Sequence, residues 1–310
     1  MSVEHLRPFF HVIAVISNPI QYESRYNLFW KFKAQMEAVG VNLWVVEVQN
    51  GERTFQVTER NNQRHLQLRT EDELWHKENM INLGIQQICQ VQPDWKYVAW
   101  VDADIEFINR NWIDDTINQL QMCHVVQMFQ NAIDVGPTGG AIHTHNGFMW
   151  SYWNGIPYRD GYANWHPGFA WAATRQALNG VGNLISKAIL GSGDRHMAMA
   201  LIGKGADSYN KEVHLNYKHM VEAWQSKAQT YIKRDVGFVK GTIVHNWHGR
   251  KSDRGYRSRW QILTKSQFDP YADVYEDPQG LLRLEDDRID LRDDIKKYFR
   301  SRNEDSIDLI

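Results

Sequence analysis

Over the first 130 residues, short apolar runs alternate with stretches whose apolar positions recur every three or four residues, and this alternation restricts the architecture more than any other feature of the chain. Strands joined by helix-length connections pair in parallel, so the pattern implies an α/β fold with a mostly parallel sheet flanked by helices. A strand is expected over 10–17. A helix follows over 23–39, because Leu28, Phe32, Met36 and Val39 share one face and Gly40 supplies the stop. A second strand over 41–48 ends near Glu47 and runs into the turn Asn50-Gly51. The polar stretch 52–70 reads as a hairpin or loop. A helix over 72–91, with Leu74, Ile81, Ile85 and Ile88 facing inward and Pro93 closing it, precedes a strand over 97–101. That strand is mainly apolar, as expected of a central strand buried on both faces. A helix over 112–121 and a strand over 125–129 complete this half.

From 131 to 171 the pattern gives way to glycines, histidines and aromatics, among them Phe148, Trp150, Tyr152, Trp153, Tyr158, Tyr162, Trp165 and Phe169. Long irregular segments inside a compact enzyme are usually functional, so this one is expected to be. Helical periodicity returns over 174–178 and 195–202. The chain has 310 residues, 43% of them apolar, enough to bury one large core. The expected organisation is a catalytic domain over 1–265 and an acid-rich C-terminal extension over 266–310, with a docking helix near 291–299 and a frayed tail.

Lys and Arg number 35 against 37 Asp and Glu, which excludes a strong general attraction to nucleic acid or membranes, although 201–265 is locally basic. No run approaches the roughly 18 apolar residues of a membrane span. The first apolar run leads into Ser17-Asn18-Pro19 rather than a cleavage site, and Cys89 and Cys123 are the only cysteines. A soluble, cytoplasmic chain is expected. The 13 tryptophans lean towards a site that stacks on sugar rings or nucleobases.

The strongest chemical feature is Trp100-Val101-Asp102-Ala103-Asp104-Ile105-Glu106-Phe107, which puts two carboxylates at the carboxyl end of the expected central strand, the edge where open α/β sheets bind ligands. Two hard oxygen ligands one residue apart suit Mn²⁺ or Mg²⁺ and leave coordination positions for phosphate oxygens. An aspartyl-nucleophile phosphatase also uses Asp-x-Asp after a strand, but it needs Thr or Val where Glu106 stands and an earlier placement. A second feature is Ile243-Val244-His245-Asn246-Trp247-His248-Gly249-Arg250-Lys251, where His245 is a further candidate metal ligand and His248, Arg250 and Lys251 are candidates to meet a diphosphate. A third is Gly168 to Arg175 followed by Gly191-Ser192-Gly193-Asp194-Arg195-His196, in which Asp194 stands at a helix start, where a carboxylate can cap the helix.

Together these segments, over about residues 8–255, resemble the GT-A glycosyltransferases, in which Asp-x-Asp binds a metal and a later histidine completes its shell. The histidine loop is similar to that of glycogenin-like members, where Lys comes six residues after His as Lys251 does after His245, although Gly249 sits one residue later than in that pattern. The resemblance implies a Mn²⁺- or Mg²⁺-dependent enzyme with metal ligands Asp102, Asp104 and His245. It implies a nucleotide-sugar donor, expected to be a UDP-sugar, held by Asn18, Arg25, Glu47, Lys77, His248, Arg250 and Lys251. It also implies an acceptor segment with Trp165, His166, Trp171 and Arg195, and Asp194 as general base where the family usually has Glu-Asp. A base there implies inversion, while the histidine loop keeps retention open. The acceptor is expected to be a glycan or other hydroxyl compound, with a phage-type hydroxymethylated DNA base as an alternative. A non-catalytic sugar- or nucleotide-binding protein and a nucleotidyltransferase are the competing classes.

Overall fold

The computed structural model describes residues 3–159 and 163–308, and Tyr162 of the aromatic run lies outside them. In chain order the elements are β1 (Phe10–Ser17), α1 (Glu23–Ala38), β2 (Asn42–Asn50), β3 (His65–Thr70), α2 (Lys77–Val91), β4 (Tyr97–Val101), β5 (Ile105–Phe107) and α3 (Trp112–Leu120). Then come β6 (Val125–Gln127), β7 (Asn131–Val135), β8 (Ala141–Asn146), α4 (Phe148–Trp153), β9 (Ala170–Thr174), α5 (Arg175–Val181) and α6 (Gly193–Leu201). The chain continues through α7 (Leu215–Tyr231), β10 (Val236–Phe238), β11 (Thr242–His245), α8 (Arg259–Ser266), β12 (Val274–Glu276), β13 (Leu282–Leu284) and α9 (Ile289–Ser301).

A seven-stranded sheet in the order β10-β6-β9-β4-β1-β2-β3 forms the centre, with β9 antiparallel to both its neighbours and every other pairing parallel. The fold is therefore the expected α/β class, a mostly parallel sheet flanked by helices. Along β4 the side chains alternate between two cores: Val98 and Trp100 enter one apolar cluster with Ile81, Ile85 and Trp171, while Ala99 and Val101 enter another with Phe29, Phe32 and Trp112. Burying each large side chain contributes roughly 1.5–3 kcal/mol. This two-sided burial explains why the strand reads as apolar throughout.

Three local expectations are corrected. The stretch 52–70 ends in β3, which runs parallel to β2 instead of folding back as a hairpin, because Glu47 draws residues 56–58 across the sheet edge through four hydrogen bonds. The helix expected from residue 72 starts at Lys77, since the buried Asp72 carboxylate is taken by Arg283, Arg292 and the Leu284 N–H, and Trp75 N–H donates to Ile189 O. The segment 131–171 is less irregular than its composition suggests. It holds β7, β8 and α4, and β7 joins a second sheet in the order β5-β11-β7-β8.

The tail beyond α9 is not frayed either. Arg302 and Glu304 are buried against the main body. No helix among the described residues is long and apolar enough to cross a membrane, and both cysteines are unpaired.

Candidate active site

A cleft of about 690 Å³ opens at the carboxyl ends of β1 and β4 and is walled by the loop after β11, the start of α6 and the tail after α9. At its floor three ligand-type atoms converge. His248 Nε2 lies 2.9 Å from Asp104 Oδ2, His245 Nε2 lies 3.8 Å from the same oxygen, and the two imidazole nitrogens are 3.3 Å apart. The ligand atoms of these three residues fall within 4.8 Å of one another, and Asp104 Oδ1 is buried with no hydrogen-bond partner in the protein. An unpaired buried carboxylate oxygen beside two imidazoles is the donor set a divalent ion such as Mn²⁺ or Zn²⁺ takes, so the residues present fit a metal. β5 and β11 bring them together by antiparallel pairing, with His245 opposite Ile105 and Asn246 N–H donating to Asp104 O at 2.8 Å.

His245 is oriented from outside the cluster. Asp134, on β7 beside β11, accepts from His245 Nδ1 at 2.7 Å and also binds His145 and Lys251, which fixes His245 with Nε2 towards Asp104. Burial alone would raise the Asp104 carboxyl, but His245 and His248 outweigh it and hold it well below the usual carboxylate range. Burial would lower His245, yet Asp104 and Asp134 raise it. Asp134 is likewise held far below its ordinary value, because His145, His245 and Lys251 overcome the cost of burial.

Asp102 faces another way. Its carboxylate lies 2.5 Å from Lys77 Nζ, so it is outside the three-residue cluster, and burial followed by the charge of Asp104 pushes it up against the pull of Lys77. Asn18, Arg25, Lys77 and Lys251 all line the cleft, though Asn18 closes its own turn by hydrogen bonds to and from the Tyr22 backbone. His248, a diphosphate candidate from sequence, stands in the metal-type cluster instead.

Two of the candidate donor residues lie elsewhere. Glu47 is completely buried, away from the cleft, with its carboxylate consumed by the N–H groups of Gln56, Val57 and Thr58 and by the Thr58 hydroxyl. Arg250 pairs with Asp253 at 3.1 Å and is not among the residues lining the cleft. In their place the structure brings Arg254, Arg259 and Arg302 around Tyr256. Arg254 Nη1 is 3.4 Å from the Tyr256 hydroxyl, Arg259 lies over its ring at 5.2 Å, and Arg254 Nε is buried without a hydrogen-bond partner. Burial would raise the Tyr256 phenol, but Arg254, Arg302 and Arg259 together lower it, which shows how concentrated positive charge is there.

Asp194, Arg195, Trp165 and His166 also line the cleft, with His166 stacked at 4.1 Å on Phe169, whose ring lies 4.7 Å from that of His245. Trp171 does not: it is buried in the apolar core on β9, its Nε1–H satisfied by Pro167 O at 2.8 Å. Ser192 is the N-cap position of α6 but makes no side-chain cap bond, and Asp194, in the first turn, accepts from the Arg195 N–H through Oδ1 at 2.7 Å. A side chain at Gly193 would put its Cβ 2.6 Å from the Glu78 carboxyl carbon. Glu78, from α2, thus fills the space next to Asp194 that an acid at 193 would use. Burial raises the Glu78 carboxyl to about 7, with Lys77 opposing and Asp194 adding to the rise. Trp165, Phe169 and Ser192 all have positive φ (64°, 78° and 79°), a backbone state that costs non-glycine residues about 1–3 kcal/mol and clusters at ligand sites.

Sequence reasoning missed Asp134, Glu78, Arg254 and Glu304 as site residues. Asp134 carried one signal, an acid inside the apolar strand Ile133-Asp134-Val135. Glu304 carried none, since it stands in an acid-rich stretch.

No protein-family model and no curated protein matches the chain. Among solved structures, the catalytic domain of Drosophila beta1,4-galactosyltransferase 7 in complex with xylobiose is 10% identical, over 89% of this chain and 94% of that one, at a TM-score of 0.38. A mutant of the same enzyme in complex with manganese, UDP-Gal and xylobiose is 13% identical at a TM-score of 0.36, and the match spans 63% of this chain and 62%, less than two thirds, of that one. A glycosyltransferase involved in the glycosylation of the major capsid of PBCV-1 is 11% identical over 56% and 62%, at 0.26. The 4-diphosphocytidyl-2C-methyl-D-erythritol synthase from Anaerococcus prevotii is 10% identical over 75% and 87%, at 0.32. At TM-scores this low the likeness carries no argument about activity.

Proposed function

We propose that this chain is a metal-dependent glycosyltransferase of the GT-A type, moving a sugar from a nucleoside-diphosphate donor to an acceptor hydroxyl. The observation that carries the reading is the cleft itself, in which Asp104, His245 and His248 converge and which Asp194 also lines. A bound Mn²⁺ or Mg²⁺ would supply charge neutralisation for the departing diphosphate. Asp104, His245 and His248 would hold it, and Asp102 fixes the Lys77 ammonium in the same cleft. Arg254, Arg259 and the Tyr256 hydroxyl meet the phosphate oxygens, where fixed charges in a water-poor pocket are worth most. Asn18, Arg25 and the loop after β1 take the nucleoside, for which uridine is the first choice.

Asp194 accepts the proton of the acceptor hydroxyl as its oxygen bonds to the anomeric carbon and the bond to the diphosphate oxygen breaks. That in-line displacement inverts the anomeric centre. Trp165, Tyr158, His166 and Arg195 form the acceptor side. Rings on that wall suit a sugar face, which supports a glycan as acceptor. The test is incubation with UDP- and GDP-sugars and Mn²⁺, following both nucleoside diphosphate and pyrophosphate. Metal-dependent release of nucleoside diphosphate is expected. Pyrophosphate would make the chain a nucleotidyltransferase, and binding without turnover would make it a sugar- or nucleotide-binding protein.

A further inference from the structure

After α9 the chain lines the cleft with Arg302 and Glu304 and is tied both to the start of α1 and to the loop after β11. Asn303 N–H donates to the Tyr22 hydroxyl at 3.1 Å, and the Asp305 carboxylate accepts from the N–H groups of Glu23 and Ser24, at 3.0 and 2.8 Å, in the first turn of α1. Trp247 Nε1 donates to Ser306 O at 2.7 Å. Gly249, at φ 80°, lies so close that a Cβ there would be 2.7 Å from Asn303 O and 2.9 Å from Glu304 Cα. Those are backbone atoms, so only glycine permits the approach. The segment 303–306 therefore holds the loop after β1 and the histidine loop in one fixed relation.

Glu304 sits at the centre of this arrangement, its side chain 1% exposed. It accepts from Arg25 Nη2 at 2.8 Å and from Arg302 Nε at 2.5 Å, and its Oε2 faces His248 Nδ1 at 3.4 Å. Both histidines of the metal-type cluster have a carboxylate on the Nδ1 side, at different distances. His245 presents Nε2 towards Asp104 and hydrogen-bonds through Nδ1 to Asp134 at 2.7 Å; His248 presents Nε2 to Asp104 and to Arg254 Nη2, 2.9 Å from each, and its buried Nδ1, which makes no hydrogen bond, faces Glu304 Oε2 at 3.4 Å. A carboxylate behind an imidazole favours the proton on the nitrogen facing it and leaves the other nitrogen with a lone pair to donate.

We propose that Glu304 is a positioning residue for the metal shell, setting the tautomer and ring orientation of His248 as Asp134 sets those of His245. The proposal rests on the reading of Asp104, His245 and His248 as metal ligands. Through the same carboxylate, which also pairs with Arg25, the donor wall and the metal shell are coupled.

The test compares the full chain with Glu304→Gln by Mn²⁺ binding and by the ¹⁴N couplings in the electron spin-echo spectrum of bound Mn²⁺. Wild type is expected to show two imidazole nitrogens. E304Q is expected to bind Mn²⁺ about 10- to 100-fold more weakly and to lose the coupling of one imidazole. Losing a carboxylate shared by two arginines also lowers the melting temperature, so stability does not decide the matter; the nitrogen coupling does. If E304Q does not fold, Glu304→Asp keeps the charge but shortens the reach to His248, and the same loss of coupling is expected. A folded variant that keeps both couplings and wild-type affinity overturns the role of Glu304 alone. A wild-type chain that binds no Mn²⁺ overturns the metal reading and this inference with it.

Discussion

Two parts of the cleft are built on different principles. At the metal-type cluster both imidazoles have a carboxylate from a remote part of the sequence behind them, Asp134 at 2.7 Å from His245 and Glu304 at 3.4 Å from His248. On the acceptor side Asp194 is half-exposed with a single backbone hydrogen bond to one oxygen, and the surrounding wall is shaped by left-handed backbone at Trp165, Phe169 and Ser192. An ion must be met by several atoms at once within a few tenths of an ångström, which calls for a network of ion pairs. A hydroxyl needs only one acceptor within hydrogen-bond reach, and a wall of fixed shape is enough to present it.

Asp104→Ala breaks this contrast most sharply. It should abolish Mn²⁺ binding and lower transfer by about 10³-fold, several kcal/mol of transition-state stabilisation, with the fold kept because the Asp104 side chain is 24% exposed at a strand end. Calorimetry with Mn²⁺ and an assay of nucleoside-diphosphate release check it. Near-normal activity in EDTA would leave the metal side without a metal.

Asp194→Asn should act on rate alone. A base is needed only in the transition state, so kcat should drop on the order of 10²-fold while donor affinity stays as in wild type. Because an Asn side-chain oxygen can accept the same Arg195 N–H, the unfolding free energy should change by less than about 1 kcal/mol. An Asp194→Asn enzyme with wild-type kcat would remove the base from the acceptor side and the argument for inversion with it.

The smallest expected effect lies at Glu78. Burial lifts its carboxyl from 4.5 to about 7 in the folded chain. A group raised on folding adds stability that is fully present below its unfolded value and is lost as pH climbs through its folded value. The melting temperature of wild type should therefore fall, relative to Glu78→Gln, as pH rises from about 4.5 through about 7. Parallel melting curves for the two proteins across that window would show that Glu78 is ionised throughout and is not the protonated neighbour of Asp194.

Much of the sheet was legible because the signal is local. The apolar run of β1 and that of β4 were read at their observed bounds, and α1 to within one residue, since strand and helix periodicity depend only on near neighbours. Asp104 and His245 were legible for a related reason: Asp104 stands in the short turn between β4 and β5, just past the carboxyl end of an apolar strand, and His245 is the last residue of β11. Glu47 had the same local appearance at the end of β2 and proved to be a buried anchor for residues 56–58, because what a strand-end carboxylate does depends on which loop reaches it.

The sequence by itself determined the strand and helix alternation, the carboxylates after β4 and the histidine at the end of β11. Only the tertiary structure decided that Lys77 claims Asp102, that His248 joins Asp104 and His245, and that Arg254 and Arg259 rather than Arg250 face the cleft. It alone decided that Asp134 and Glu304 stand behind the two imidazoles. These contacts join residues as far apart in sequence as Asp134 and His245, 111 positions, or Arg25 and Glu304, 279 positions. No local pattern encodes them, because their energies depend on which charges the folded chain brings out of water together.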